Sequence, residues 1–379
     1  MKQTNFFGLV LFFASLVIIS LFVASGAIQA KEPVKIGAII PITGTSEVEG
    51  QDMSRGLQIA LDEINTAGGV LGRSLEVIVE DTETRPKSGL DAVHKLIDIN
   101  KVPVILGGYF SSVSLPTGNY SNSQGVVQLT WSTSPALRKV GPFFFGICGT
   151  DELMAANTVK FAIEDARAKR FGIIVDNSAY GLGVLEFSKR EIKKAGGEIV
   201  AEVKYEREKA DYRPELQRVF AQKPEVVVGT LIGKDARTIF KQAYELGLKP
   251  QSGWYLSWIS LATAPSIPET VEGVKGLIGR LKGKAANRFN EMYQEKYGAP
   301  PQTVWGHYIY DAVWLTALAI NFANSPEPKA IKDALFKVAP VYRGVSGGGD
   351  KTFNADGMQK YEVYQRMVCK NGKLVIYQK

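Results

Sequence analysis

The stretch from Val102 to Pro135, VPVILGGYFSSVSLPTGNYSNSQGVVQLTWSTSP, contains two apolar runs that each end in small or hydroxyl-bearing residues. The first run, Val102–Leu106, is followed by two glycines and then by Ser111 and Ser112. The second, Val126–Leu129, leads into the residues TWSTS. In an open parallel sheet, small ligands bind at the carboxyl ends of the strands. The two runs therefore predict strands whose ends present hydroxyls and helix N-terminal amides, which suit a carboxylate.

Short apolar strands alternate with amphipathic helices on both sides of this stretch. A strand at Val34–Ile40 and a helix at Gly50–Asn65 precede it. The alternation restarts with a helix at Asp151–Arg167 and continues to a strand at Trp254–Ser257. Such alternation predicts parallel sheets that are covered by helices on both faces. The fold class is therefore α/β, with two doubly wound parallel-sheet units of similar size.

The pattern changes after Gly276. A long helix, Val304–Ala323, is rich in aromatic residues and alanine and has little polar surface. Such a helix must be buried nearly all round, and we expect it to pack against the first unit. Residues Phe353–Tyr377 alternate polar and apolar side chains, which predicts an antiparallel hairpin with its turn at Asn371-Gly372.

The first thirty residues have the composition of an export signal. Lys2 is their only charge, Phe6–Ala24 is almost wholly apolar, and small residues follow up to Ala30. This pattern predicts cleavage after Ala27 or Ala30 and a periplasmic mature chain. An uncleaved segment would instead anchor the chain to the membrane.

The remaining composition is that of a globular protein. The chain of 379 residues is 45% hydrophobic and carries a net charge of +7, with its lysines and arginines interspersed among acids. This distribution indicates a solvated surface rather than a nucleic-acid interface. Cys148, Cys369, His94 and His307 lack the spacing of metal ligands. The two cysteines are expected to be buried thiols rather than a disulfide.

The motifs of common enzyme classes are missing from the sequence. The first strand leads into GAIIPITG, which lacks the glycine spacing of a dinucleotide-binding loop. Gly347-Gly348-Gly349 lacks the spacing and the strand-to-helix context of a phosphate loop, and no G-x-S-x-G motif is present. We therefore predict no cofactor and interpret the protein as a binding protein rather than an enzyme.

The candidate ligand-binding residues all follow predicted strands. They are Tyr109, Ser111, Ser112, Trp131, Ser132, Thr133 and Ser134 in the first unit, and Asp176, Tyr180 and Trp258 in the second. Ser111 is expected to cap the helix that it begins and to present its hydroxyl. Tyr180 could close over a ligand, and Trp258, Trp131 and Tyr109 suit an apolar or flat part of that ligand.

With these features, the chain resembles the periplasmic solute-binding proteins of branched-chain amino acid ABC transporters, the leucine/isoleucine/valine-binding type. The resemblance lies in the segments VKIGAIIPITG (34–44), GLQIALDEINTAGGVLGRSLEVIVEDTETRP (56–86), VILGGYFSS (104–112), VVQLTWSTSPAL (126–137), DNSAYG (176–181) and YIYDAVWLTALA (308–319). It implies a type I periplasmic binding fold, in which a three-segment hinge with crossovers near Gly149, Gly276 and Gly344 joins two lobes. The implied division is residues 1–30 as signal, 33–149 plus 278–341 as lobe 1, and 150–277 plus 342–379 as lobe 2.

The resemblance also implies roles for individual residues. Ser111 matches the serine that binds the carboxylate of the solute, and either Thr133 or Ser134 matches a second hydroxyl ligand. Tyr180 matches the tyrosine that closes on the solute. The acid that pairs with the ammonium group in amino-acid binders has no counterpart in Trp254–Trp258, and Asp176 or another acid would have to replace it. An unpaired ammonium group in a dry cleft would be unfavourable.

The expected function is the solute-binding component of an ABC importer, acting as a monomer with a membrane permease as partner. The expected solute is small and bears a carboxylate, as in a branched-chain or other hydrophobic amino acid, and hinge closure captures it. One alternative is an aromatic acid, an amide or another solute without an ammonium group in the same cleft. A second alternative is a sensory receptor that reports to a separate signalling partner.

Overall fold

The structure, a computed structural model, describes residues 31–263, 267–281 and 283–379. The predicted export signal lies outside these residues. Within the described ranges, no helix is both long and apolar enough to cross a membrane.

The first sheet has five parallel strands in the spatial order β2-β1-β3-β4-β5. They are β1 (Val34–Ile40), β2 (Leu75–Asp81), β3 (Val104–Gly107), β4 (Val127–Thr130) and β5 (Phe144–Gly146). Every residue of β3 and β4 is buried, as expected for strands covered on both faces. The strand order reverses between β1 and β3, and such a reversal opens a ligand-binding crevice at the carboxyl ends of the strands.

The helices of this sheet come from two separate parts of the chain. They are α1 (Glu47–Thr66), α2 (Pro86–His94, continued by a π-helical turn at Lys95–Ile99), α3 (Ser111–Ser123), and, much later, α10 (Lys284–Tyr297), α11 (Trp305–Ala323) and α12 (Pro328–Val338). Helix α11 is buried along most of its length and packs against α1, α12 and β3. The prediction that this aromatic helix joins the first unit is therefore confirmed.

The second sheet has seven strands in the order β12-β11-β10-β9-β8-β6-β7. They are β6 (Arg170–Asp176), β7 (Glu198–Tyr205), β8 (Val226–Gly229), β9 (Gly253–Leu256), β10 (Lys275–Gly279), β11 (Tyr364–Lys370) and β12 (Lys373–Ile376). Its helices are α4 (Asp151–Ala166), α5 (Ala179–Lys194), α6 (Arg213–Phe220), α7 (Gly233–Glu245), α8 (Ile259–Thr263) and α9 (Pro268–Val271). β6 to β10 pair in parallel, whereas β11 and β12 form the predicted antiparallel hairpin with its turn at Asn371-Gly372.

The chain after α12 does not pass directly to the second sheet. The sequence-based division places residues 342–379 in the second lobe, but the ring of Phe353 lies 5.1 Å from that of Phe145 in β5. Met358 forms an isolated bridge with Gly146 of the same strand. Phe353 and Met358 thus lie beside the first sheet through contacts between residues distant in sequence, which alternation in the tail could not reveal.

Three segments connect the two sheets. The first follows β5 at Gly149, the second follows Gly279, and the third follows α12. The second crossover lies later than the predicted Gly276, because β10 remains paired up to Gly279. The half-buried carboxylate of Glu362, in the third segment, accepts hydrogen bonds from the Gly149 amide of the first segment at 3.1 Å and from the Tyr308 hydroxyl of α11 at 2.5 Å.

Both cysteines are free thiols in the interior. Cys148 and Cys369 are buried, and burial raises the pKa of each, that of Cys369 to about 11. Among the described residues, no group of three or more histidines, cysteines or acids is placed to hold a metal ion.

Candidate functional site

A small cavity lies where the carboxyl ends of strands from both sheets meet. Seven of the ten predicted binding residues line it, together with Phe110, Leu261 and Trp305; the seven are Tyr109, Ser111, Trp131, Ser132, Thr133, Tyr180 and Trp258. Its open volume is about 20 Å³, and a single water needs about 10–15 Å³. A solute of several heavy atoms can therefore enter only if the walls move apart.

Two glycines shape the first-sheet edge of the cavity. Gly107 and Gly108 have φ values of +115° and +82°, and a Cβ at Gly107 would lie 2.1 Å from the Ile39 carbonyl oxygen. The Gly108 carbonyl accepts hydrogen bonds from the Thr130 hydroxyl at 2.8 Å and the Ser132 hydroxyl at 2.6 Å. The Ser132 hydroxyl, predicted as a ligand contact, is thus already engaged in holding the ends of β3 and β4 together.

Helix α3 begins at the cavity. Phe110 is its N-cap residue and no side chain caps it, so the expectation that Ser111 acts as the cap is wrong. The Ser111 hydroxyl instead accepts a hydrogen bond from the Ser134 amide at 3.3 Å. The first amides of a helix have no intrahelical acceptor and favour an anion. Ser112 contributes such an amide, but its half-buried side chain is not part of the cavity wall.

Thr133, rather than Ser134, faces the cavity. The Ser134 hydroxyl donates to the Ala179 carbonyl at 3.0 Å, a contact between the loop after β4 and the start of α5. The Thr133 side chain lines the cavity, and its carbonyl accepts from the Asp151 amide at 2.9 Å. Between the two hydroxyls that the sequence left open, the geometry favours Thr133 as the one that can reach a solute.

Asp151, the first residue of α4, is a buried acid that the sequence marks only as a helix-start residue. It is fully buried, and neither carboxylate oxygen forms a hydrogen bond of good geometry with a described residue. Burial, reinforced by the charge of Asp176, raises its pKa well above the usual value, and the Thr133 side chain opposes this only in part. Burial and then the Asp151 charge raise the pKa of Tyr180. The position of Asp151 two residues after Gly149, where the chain leaves the first sheet, could have indicated a role.

Asp176 is also buried, but it is not part of the cavity wall. It ends β6, and its carboxylate accepts from the Thr230 hydroxyl at 2.7 Å, while its second oxygen has no partner among the described residues. Burial raises the pKa of this carboxyl group. Asp176, the acid predicted to pair with an ammonium group, thus lies outside the cavity wall. It is at the point where the strand order of the second sheet reverses between β6 and β8.

Aromatic side chains form the remaining wall. The ring of Trp305 lies 5.0 Å from that of Trp258 and 5.1 Å from that of Tyr109. The indole N–H groups of Trp131, Trp258 and Trp305 and the hydroxyls of Tyr109 and Tyr180 have no hydrogen-bond partner among the described residues. Buried donors without acceptors are unfavourable, so acceptors on a solute would be stabilised here. The sequence did not distinguish Trp305 from the core aromatics of its helix.

Two helix-covered sheets, three connecting segments and a cavity at the facing strand ends define a two-lobed solute-binding protein. The chain belongs to the periplasmic binding protein family, whose sequence profile matches residues 33–373. The predicted family and the predicted type I periplasmic binding fold are thereby confirmed.

Known proteins of similar sequence and structure support this placement. An amino acid binding protein of Pseudomonas aeruginosa is 28% identical over 354 residues, which cover 89% of this chain and 91% of that protein. A branched-chain amino acid transporter substrate-binding protein of Streptococcus pneumoniae, solved with isoleucine, has a TM-score of 0.81 at 24% identity and covers 90% of this chain and 98% of its own. An ABC transporter solute-binding protein of R. palustris, solved with benzoate, has a TM-score of 0.78 at 19% identity, with coverages of 91% and 95%. The chain is an extracytoplasmic solute-binding protein of this family.

Proposed function

We propose that the protein captures a small hydrophobic α-amino acid and passes it unchanged to a membrane permease. The observation that carries this proposal is Asp151, a fully buried carboxylate without hydrogen bonds of good geometry beside Thr133 and Tyr180. A buried acid of this kind is unfavourable unless a positive charge compensates it. The ammonium group of an amino acid supplies that charge. Asp151 would then replace the acidic partner that is missing from Trp254–Trp258.

Asp151 is not part of the cavity wall itself, but its amide donates to the carbonyl of Thr133, which is part of it, and the cavity fits the remaining groups of an amino acid. Its carboxylate would bind to the first amides of α3, at Ser111 and Ser112, and to the Thr133 hydroxyl. Its side chain would extend toward Trp258 and Trp305, which form the apolar wall. This arrangement places the two charged groups of the solute at the strand ends and its apolar part between the indole rings.

Capture requires the two sheets to move relative to each other. We propose that each sheet with its helices forms one lobe and that the three connecting segments form the hinge, in which Glu362 bonds the third segment to Gly149 of the first. Opening would widen the 20 Å³ cavity, and a bound solute would then favour the closed form. In this division β10, up to Gly279, belongs to the second lobe.

A second candidate solute is an aromatic acid without an ammonium group. The aromatic wall formed by Tyr109, Trp131, Trp258 and Trp305 favours it, and one similar structure was solved with benzoate. Such a solute would bind its carboxylate in the same place but would leave Asp151 without a positive partner. The two candidates therefore differ in their dependence on Asp151.

Isothermal titration calorimetry with leucine, isoleucine, valine, phenylalanine and benzoate tests the proposal. We expect the amino acids to bind the unaltered protein, and Asp151→Asn to weaken their binding by about 100-fold, because the buried charge pair is lost. Asp91→Asn, which changes an exposed acid on α2, serves as the control. Tight binding of benzoate but not of amino acids, unchanged in Asp151→Asn, would support the aromatic acid instead.

We infer that residues 1–30 direct export, that the mature chain works in the periplasm, and that it acts as a monomer without chemical turnover of its solute. The apolar run and small-residue exit before Lys31 support the first two statements. Mass spectrometry of the exported chain would reveal the cleavage site, with Ala27 or Ala30 expected as the last residue removed.

A further inference from the structure

Arg207 connects elements of the two sheets at the edge of the cavity. It lies two residues after β7 of the second sheet, yet its guanidinium group extends to residues that follow strands of the first sheet. Its Cζ lies 4.7 Å from the centre of the Phe110 ring. One of its terminal nitrogens donates to the Thr45 hydroxyl at 3.3 Å. The contact therefore exists only while the two sheets are close together.

The two first-sheet partners of Arg207 are Phe110, at the cavity, and Thr45, which is outside its wall. Phe110 lines it and is the N-cap residue of α3, directly before the proposed carboxylate ligand Ser111. Thr45 lies between α1 and β1, the latter being one of the two strands at the strand reversal of this sheet. Arg207 itself is not part of the cavity wall. Its action on a solute would thus be indirect, through the residues that it covers.

The second sheet fixes the orientation of the arginine. Asp235, in the first turn of α7, faces the Arg207 Nε at 3.4 Å. The same buried carboxylate accepts hydrogen bonds from the Tyr212 hydroxyl at 2.7 Å and the Glu208 amide at 3.0 Å. With the carboxylate held on that side, the planar guanidinium can stack on Phe110 and donate to Thr45 at the same time. A lysine would keep the charge but would lose the stacking plane and the fork of donors.

We propose that Arg207 is a positioning residue that holds the two lobes closed over a captured solute, through Phe110 and Thr45. The proposal rests on the proposed function, in that capture involves closure of the lobes. Contacts made only in the closed form slow the escape of the solute more than they speed its entry. Arg207→Ala should therefore raise the dissociation rate and leave the association rate nearly unchanged.

Stopped-flow fluorescence with leucine, together with small-angle X-ray scattering of the solute-free proteins, tests this role. For Arg207→Ala we expect a dissociation rate about tenfold higher, an association rate within about twofold of the original, and a larger mean radius of gyration. Arg207→Lys should restore part of the slow dissociation. Arg213→Ala is the matched control, since this arginine pairs with Asp211 and Glu245 on the second sheet alone.

The two proposals can fail separately. If leucine binds but dissociates from Arg207→Ala as slowly as from Arg213→Ala, the role of Arg207 is rejected and the proposed function stands. If leucine does not bind the unaltered protein, leucine is the wrong solute, and the scattering comparison decides on Arg207 by itself. Equal radii of gyration for the unaltered protein, Arg207→Ala and Arg213→Ala would then reject the closing role.

Discussion

The indole rings of Trp258 and Trp305 lie 5.0 Å apart and are inclined by 42°. Trp258 follows β9 of the second sheet, whereas Trp305 begins α11, which packs on the first sheet. The pair therefore joins the two sheets within the wall of the cavity. Trp258 has a φ of +50°, which is uncommon for a residue other than glycine and is strained for a bulky side chain. Both the backbone strain and the aromatic contact thus occur at the place where a solute would bind.

We expect Trp305→Phe to lower the affinity for the solute by about three- to tenfold, because a smaller ring gives up part of the contact with Trp258 and with the solute. Calorimetry with leucine measures the effect. Trp314→Phe changes a half-buried tryptophan on the same helix that is not part of the cavity wall, and should alter the affinity by less than about twofold. Equal losses in the two variants would indicate a general effect on α11 rather than a role of Trp305 in binding.

The glycine at the end of β3 should be needed for stability. Gly107→Ala would place a Cβ 2.1 Å from the Ile39 carbonyl oxygen in a backbone with φ of +115°. We expect the free energy of unfolding to fall by about 2–4 kcal/mol. Gly125→Ala is the control, because Gly125 also has a positive φ, +66°, but nothing within 4 Å of its Cβ position; its loss should be about 1 kcal/mol. Urea unfolding measures both, and equal losses would show that steric contact with Ile39 does not matter.

Periodicity alone predicted most of the fold. The strand at Val34–Ile40 was predicted to the residue, and the hairpin turn at Asn371-Gly372 followed from alternation and turn chemistry. These features depend on neighbours in sequence. The contact of Phe353 with Phe145 depends on residues far apart in the chain, and no local pattern encodes it.

The candidate site was less accessible to sequence reasoning for the same reason. The hydroxyls after β4 were visible, but the engagement of Ser132 by the Gly108 carbonyl was not, because that bond joins two strands. Asp151 looked like an ordinary first-turn acid. Only the burial of its carboxylate beside Tyr180 distinguishes it from a helix-start residue, and burial is a property of the folded chain.

Glu49 of α1 should make stability dependent on pH. Burial raises its pKa from 4.5 to about 7, with a further contribution from Asp52, while Arg237 and Arg207 act in the opposite direction. Because the folded-state pKa exceeds the unfolded one, the stabilising contribution is complete below about pH 4.5 and is lost as the pH rises toward 7. Glu49→Gln should therefore match the original protein at pH 4.5 and be more stable at pH 8, by at most about 3 kcal/mol.

Thermal unfolding of the solute-free proteins at the two pH values checks this prediction. Glu47→Gln, on the same helix turn, is the control, since Glu47 is exposed. A Glu49→Gln variant that is less stable than the original protein at pH 8 would show that the charged form is favoured, with Arg207 and Arg237 outweighing burial.

Asp151 should couple solute binding to proton release. Burial raises the pKa of this carboxyl group well above the usual value, because the charged form is unfavourable in the solute-free protein. An ammonium group placed beside the carboxylate favours the charged form and lowers that pKa again. Binding of an amino acid should then release a proton, and its affinity should increase as the pH rises toward the pKa of the solute-free state.

Calorimetry in two buffers of different ionisation enthalpy measures this proton directly, because the apparent binding enthalpy then depends on the buffer. The dependence should vanish in Asp151→Asn and persist in Asp176→Asn, since the Asp176 carboxylate already accepts a hydrogen bond from Thr230. A dependence that persists in Asp151→Asn and vanishes in Asp176→Asn would assign the ammonium partner to Asp176 instead. Binding of leucine with no proton released at any pH between 5 and 8 would mean that neither acid changes its ionisation on binding, which contradicts the predicted coupling.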